Sequence, residues 1–202
     1  MTRIAKIVKS NSHVDYVARV VDELDADEPP SPDEYGFAQF VRLPVTDDEE
    51  VVGVVYDTQL ANPEYASFGP RLSPREELKL LSPDFLHEQG VLLGVLLLGW
   101  RERANGSAWA GHQGVPRRVV PAGQDVYGMA DAEVFEFHRD ESGRVRLHYF
   151  SQILAHARAF AVPLVETIID RLEPACEPAE RQRLCVLRRS LIWQRTLGGM
   201  RL

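Results

Sequence analysis

The chain has 202 residues and a mass of 22.8 kDa, enough to bury roughly 70% of the surface its unfolded form exposes without a disulfide or a structural metal. Its formal net charge is −7, and the acid excess lies in front: residues 1–141 carry 13 basic and 25 acidic side chains, residues 142–202 carry 10 and 5. That balance excludes the front as a nucleic-acid footprint and leaves the tail as a surface for an acidic partner, or else as an ordinary solvated face.

In chain order, the first apolar run is Ile4 to Val8, set between Lys6 and Lys9 and branched enough for a strand. Beyond the turn SNSH, Val14, Tyr16, Ala18 and Val20 alternate with His13, Asp15, Val17 and Arg19, so one row faces a core and the other is partly wet. Residues Asp22 to Glu34 are acid-rich and run into PPSP, the composition of an exposed loop. Apolar density returns with Tyr35, Phe37, Phe40, Val41 and Leu43, and after the solvated turn DDEE a strand is expected over Val51 to Tyr56. Gly53 within it marks a bulge or a close backbone crossing.

Residues 57–90 read as an excursion in which Ser73-Pro74 and Ser82-Pro83 begin short helices, a cap followed by a proline at the first helical position. GVLLGVLLLGW, Gly90 to Trp100, is the most apolar segment and too short to span a bilayer. Its lack of alternation and its glycines predict a central strand covered on both faces. RERANGSAWAGHQGVP is then a polar, glycine-rich loop, and RRVVPAGQDVYGMAD turns at Pro121-Ala122-Gly123. From Phe150 onward apolar residues recur at helical spacing, with Pro163 as a kink or a new start. Pro174 and Pro178 precede a last helix with Leu184, Leu187 and Leu191 on one stripe and Arg181, Arg188 and Arg195 on another.

These readings predict an α+β chain: a mainly β N-terminal barrel over 1–141 with a helical insertion at about 71–89, followed by a C-terminal helical region over 142–202. RIAKIVKSN, VDYVARVVD, FAQFVRLP, VVGVVYDTQL and GVLLGVLLLGW, in this order, resemble the HAS barrel of HerA-type DNA-translocating ATPases and F-type ATP synthase subunits. VPAGQDVYGMAD is similar to the link by which such a barrel leads to its next domain. The resemblance covers about residues 1–130 and implies a barrel that packs into rings and supplies a docking surface. HerA-type proteins continue into a motor with a phosphate-binding loop, whereas no GxxxxGK[ST] occurs here, so ATPase activity is not carried over.

Catalytic signals are sparse. His87, His112, His138, His148 and His156 form no HExxH or HxH pattern, and Cys176 and Cys185 form no CxxC, so neither a metal nor another cofactor is expected. Two cysteines so placed, a start without a secretion signal and no membrane-length apolar run predict a cytoplasmic protein. Ser107, in NGSAW, is not a nucleophile elbow. Glu133 and Glu136 share a face only if their segment is helical.

Three functions follow as expectations. The first is a non-catalytic accessory protein that oligomerises or docks onto a DNA-processing ATPase or nuclease through Phe37, Phe40 and Val41, with Arg181, Arg188 and Arg195 on the helical side. The second is a small enzyme with a pocket under the 101–114 loop, where Trp109, His112 and Gln113 line the site and His112 and Glu136 do the chemistry. The third is a nucleic-acid module using the three arginines.

Overall fold

The computed structural model describes residues 2–68, 74, 84, 88–103 and 108–198, without the side chains of 66–68 and 191–198. Among the described residues there are seven strands: β1 (Arg3–Ser10), β2 (Asp15–Val20), β3 (Phe40–Thr46), β4 (Glu49–Ala61), β5 (Gly90–Glu102), β6 (Ala110–Gln113) and β7 (Asp125–Gly128). All pairings are antiparallel, in the order β2-β1-β7-β3-β4-β5-β6, and a further β2–β5 pairing closes six of the strands into a barrel. Closure leaves those six strands no free edge along most of the wall.

The alternation expected of β2 is observed from Tyr16 onward, with Tyr16, Ala18 and Val20 buried and Val17 and Arg19 half-buried. Asp15, expected on the wet row, is instead buried, where it accepts the Tyr56 hydroxyl at 2.8 Å. β5 is the central strand that its apolar run predicts, pairing β4 over nearly its whole length and β2 and β6 in turn on its other side. The β4–β5 ladder shifts register twice, between Val52 and Gly53 and again between Val55 and Asp57. A Cβ at Gly53 would stand 2.9 Å from Val95 Cγ1 and 3.1 Å from the Leu96 carbonyl oxygen, so only glycine fits that crossing.

Two segments differ from the sequence reading. Part of the 101–114 loop is strand β6, folded back on β5 because Gly99 lets the His112 carbonyl oxygen approach to 2.0 Å from where a Cβ would sit. Residues 125–128 are no outgoing link: as β7 they lie between β1 and β3 and complete the barrel. Four residues are too few for periodicity to register. The expected helical insertion at 71–89 falls almost wholly outside the described residues.

Helix α1 (Pro63–Phe68) follows β4, and α2 (Asp131–His138) leads out of β7. The helical region then runs through α3 (Phe150–His156), α4 (Ala161–Leu172) and α5 (Pro178–Gly198). Pro163 stands in the first turn of α4, where its missing N–H costs no hydrogen bond, so it is a start and not a kink. α4 buries Ala161, Leu164, Val165, Ile168, Ile169 and Leu172, the 3.6-residue stripe read from the sequence. These residues join Ile153 of α3 and the barrel side chains in one continuous apolar core.

Candidate docking site

At one end of the barrel the polar groups are tied to one another. Glu50 of β4 receives Arg42 of β3 on Oε1 and Arg101 of β5 on Oε2, the latter at 2.5 Å, and Arg101 also reaches Glu133 of α2 at 3.1 Å. Arg42, Glu50 and Arg101 are buried, and the carboxylate shared by the two guanidiniums offsets part of the cost of taking these charges out of water. Trp109 lies over Arg101 at 5.1 Å and over Arg103 at 4.7 Å, while Arg103 bonds Asp48 and the Asp47 carbonyl. The indole therefore clamps the β5–β6 connection onto the β3–β4 turn.

The other two residues expected to line the loop site are also engaged internally. His112 stacks on Trp100 at 5.2 Å, with Nε2 3.1 Å from Glu102 but without hydrogen-bonding alignment. Gln113 donates to the Arg146 carbonyl at 2.9 Å and accepts from the His148 N–H at 2.7 Å, which ties β6 to the segment ahead of α3. Glu133 and Glu136 do share helix α2, yet Glu133 turns toward Arg101 and Glu136 is exposed. A cleft of about 260 Å³ lies elsewhere, on β1 and β2 beside Lys6, Val8, Arg19 and Asp25.

His138 ends α2 in a fully buried position. Its Nδ1–H donates to the Val134 carbonyl and its Nε2 accepts from the Tyr149 hydroxyl, both at 2.6 Å, which describes a neutral imidazole. Burial pulls its pKa down to about 4. Its ring meets Phe40, Phe137 and Tyr149 edge-on, so the histidine joins the helices to the barrel wall. His13 bonds the Pro116 carbonyl at 2.7 Å, and His87 lies outside the described residues. Among the described residues no group of three or more His, Cys, Asp or Glu is placed to hold a metal ion.

The surface expected at Phe37, Phe40 and Val41 is smaller than the sequence suggests. Phe40 and Val41 are fully buried, because β3 passes through the closed wall with neighbours on both sides, so they are core residues and not the partner contacts expected from the sequence. Phe37, just outside the strand, is 42% exposed and meets Phe160, 43% exposed, at 6.0 Å between ring centroids. Phe160 ends the single 3₁₀ turn Arg158–Phe160 between α3 and α4. The position of Phe160 fits the helical apolar stripe, whose aromatics are expected mostly to pack the helices onto the barrel, with an exposed subset left for an interface. Phe160 belongs to that exposed subset.

Backbone geometry singles out the same place. Ala38, next to Phe37, has φ 64°, and Arg158, two residues before Phe160, has φ 49°, both in the left-handed region that L side chains rarely adopt. Ala38 holds that shape through its N–H to the Val55 carbonyl at 2.8 Å, and Arg158 follows the end of α3, where glycine is the usual residue. The Arg158 side chain is exposed, makes no ion pair among the described residues, and its charge reaches Tyr56.

On α5, Arg188 reaches Asp170 at 2.5 Å and Glu173 at 3.5 Å, and Arg181 bonds the Cys176 carbonyl at 2.9 Å. The stripe is thus turned toward α4 and the connection after it, with Arg188 neutralised there; the Arg195 side chain lies outside the described residues. No helix among the described residues is long and apolar enough to cross a membrane.

Residues 1–201 match the family described as Domain of unknown function (DUF8166). The chain belongs to that family. The match runs from the first strand through the last helix, so barrel and helical region recur together as one family unit. No curated protein matches the chain.

Proposed function

We propose that this chain is a non-catalytic accessory protein, similar to a HAS barrel, that works by docking: onto a second copy of itself or onto a DNA-processing ATPase or nuclease. The observation that carries the reading is the Phe37–Phe160 pair. Single exposed apolar residues are ordinary on protein surfaces. Here two aromatic rings from distant parts of the chain converge, each beside a residue in a strained backbone conformation. Strain of this kind persists where the surroundings impose it and concentrates at binding sites.

The rest of the molecule fits a rigid mount. The Arg42–Glu50–Arg101–Glu133 cluster stiffens one barrel end, and His138 with Tyr149 fixes the helices to the wall. Docking is favoured over nucleic-acid binding because Asp170 and Glu173 already neutralise Arg188 in the middle of the basic stripe. It is favoured over catalysis under the 101–114 loop because Trp109 and Gln113 serve as internal fastenings.

The test is capture of a purified HerA-type ATPase by the full chain and by the variant F37S/F160S. Capture by the parent chain and its loss in the variant are expected. Equal capture by both removes the aromatic pair from the interface, and no capture by either removes that partner.

A further inference from the structure

A second feature of the surface has the chemistry that the aromatic patch lacks a partner for. The turn after β2 is pinned from within: Arg19 bonds Asp22 and Asp25, both at 2.7 Å, and Arg3 bonds the Asp25 carbonyl at 3.3 Å. The Asp22 carboxylate also accepts the Leu24 N–H at 2.9 Å, and its carbonyl accepts the N–H groups of Asp25 and Ala26. With the turn held in this way, Leu24 points into solvent and is 57% exposed, followed by the exposed Asp27 and Glu28. A leucine fixed in the open beside carboxylates matches two open phenyl rings beside an exposed arginine that makes no ion pair among the described residues.

The two features do not meet within one chain. Leu24 rises from β2 and Phe37 leads into β3, and β1 and β7 stand between those strands in the wall. We propose that the Phe37–Phe160–Arg158 patch receives the Asp22–Glu28 turn of a second copy of this chain. Leu24 seats on the two rings, and Asp27 and Glu28 face Arg158. Charge complementarity sets the pairing, and the pinned turn lowers the ordering cost of forming it. The inference rests on the docking reading and names the self-contact within it.

Sedimentation velocity of the full chain over a concentration series tests it, with variants L24S, R158E and D27K/E28K checked for folding by circular dichroism. The parent chain self-associates, more weakly as salt rises. L24S and R158E weaken association about tenfold, as removal of a central contact does. A mixture of R158E with D27K/E28K associates better than D27K/E28K alone, because reversed charges meet again. A parent chain that stays monomeric, or association unchanged in L24S and R158E, overturns the self-contact. L24S also separates the two readings: it spares capture of an ATPase by the aromatic patch, so a monomer that still captures the ATPase refutes this inference alone.

Discussion

The Tyr149 hydroxyl stands 2.6 Å from His138 Nε2 and donates to it while the imidazole is neutral; a protonated ring would have to reverse that bond inside a buried, apolar setting. In the unfolded chain the group has its ordinary pKa of 6.5, whereas burial holds it at about 4 in the fold. Between those values the unfolded chain binds a proton that the folded chain does not. Stability from this group is therefore complete above pH 6.5 and is lost as pH falls toward 4, by about 3 kcal/mol. Urea unfolding of the parent chain and H138Q at pH 7 and pH 4.5 checks the sign. The variant should lose much of the pH dependence, and an identical slope in both would assign it to other groups.

Glu50 holds two guanidiniums, so E50Q leaves Arg42 and Arg101 without their shared carboxylate in a buried setting. Unfolding free energy should fall by about 3–5 kcal/mol. The partly exposed Arg103–Asp48 pair is the internal control, and D48N should cost under about 1 kcal/mol.

G99A drives a methyl into the His112 carbonyl oxygen. The β5–β6 pairing should open at an expense of roughly 1–3 kcal/mol, and the Trp100–His112 stack with it. A change in tryptophan emission before global unfolding is the expected signature, and a parent-like emission and midpoint would contradict the assigned crossing.

R158G tests whether the strained turn is kept for its side chain. Glycine relieves the left-handed conformation at φ 49° but loosens the unfolded chain, for a net gain of about 0.5 kcal/mol. Stability should rise slightly while docking weakens, the trade expected of a residue retained for binding. A variant that gains stability and docks as before would make Arg158 a purely structural residue.

How much of this was legible in the sequence depended on the length of each signal. The thirteen residues of β5 and the long stripe of α4 carry enough apolar pattern to be recognised alone. The four-residue strands β6 and β7 do not, because what defines them is a place in the sheet: β6 needs Gly99 opposite, and β7 needs β1 and β3 to fill between. Site residues divided on the same ground. Phe37, Phe40 and Val41 read together as one run of apolar density, and only the closed barrel separates the exposed Phe37 from the buried Phe40 and Val41. Phe160, Arg158 and the Arg42–Glu50–Arg101 cluster depend on contacts between residues far apart in the chain, which no local pattern carries.

The central claim is that the chain docks through the surface formed by Phe37, Phe160 and Arg158. A photo-crosslinking phenylalanine analogue at position 37, activated in native cells and followed by identification of the adduct, tests it most directly. The account predicts adducts with a second copy of the chain or with a DNA-processing ATPase or nuclease, lost in F160S and R158E. Adducts that persist unchanged in both variants, or none at all, would contradict it.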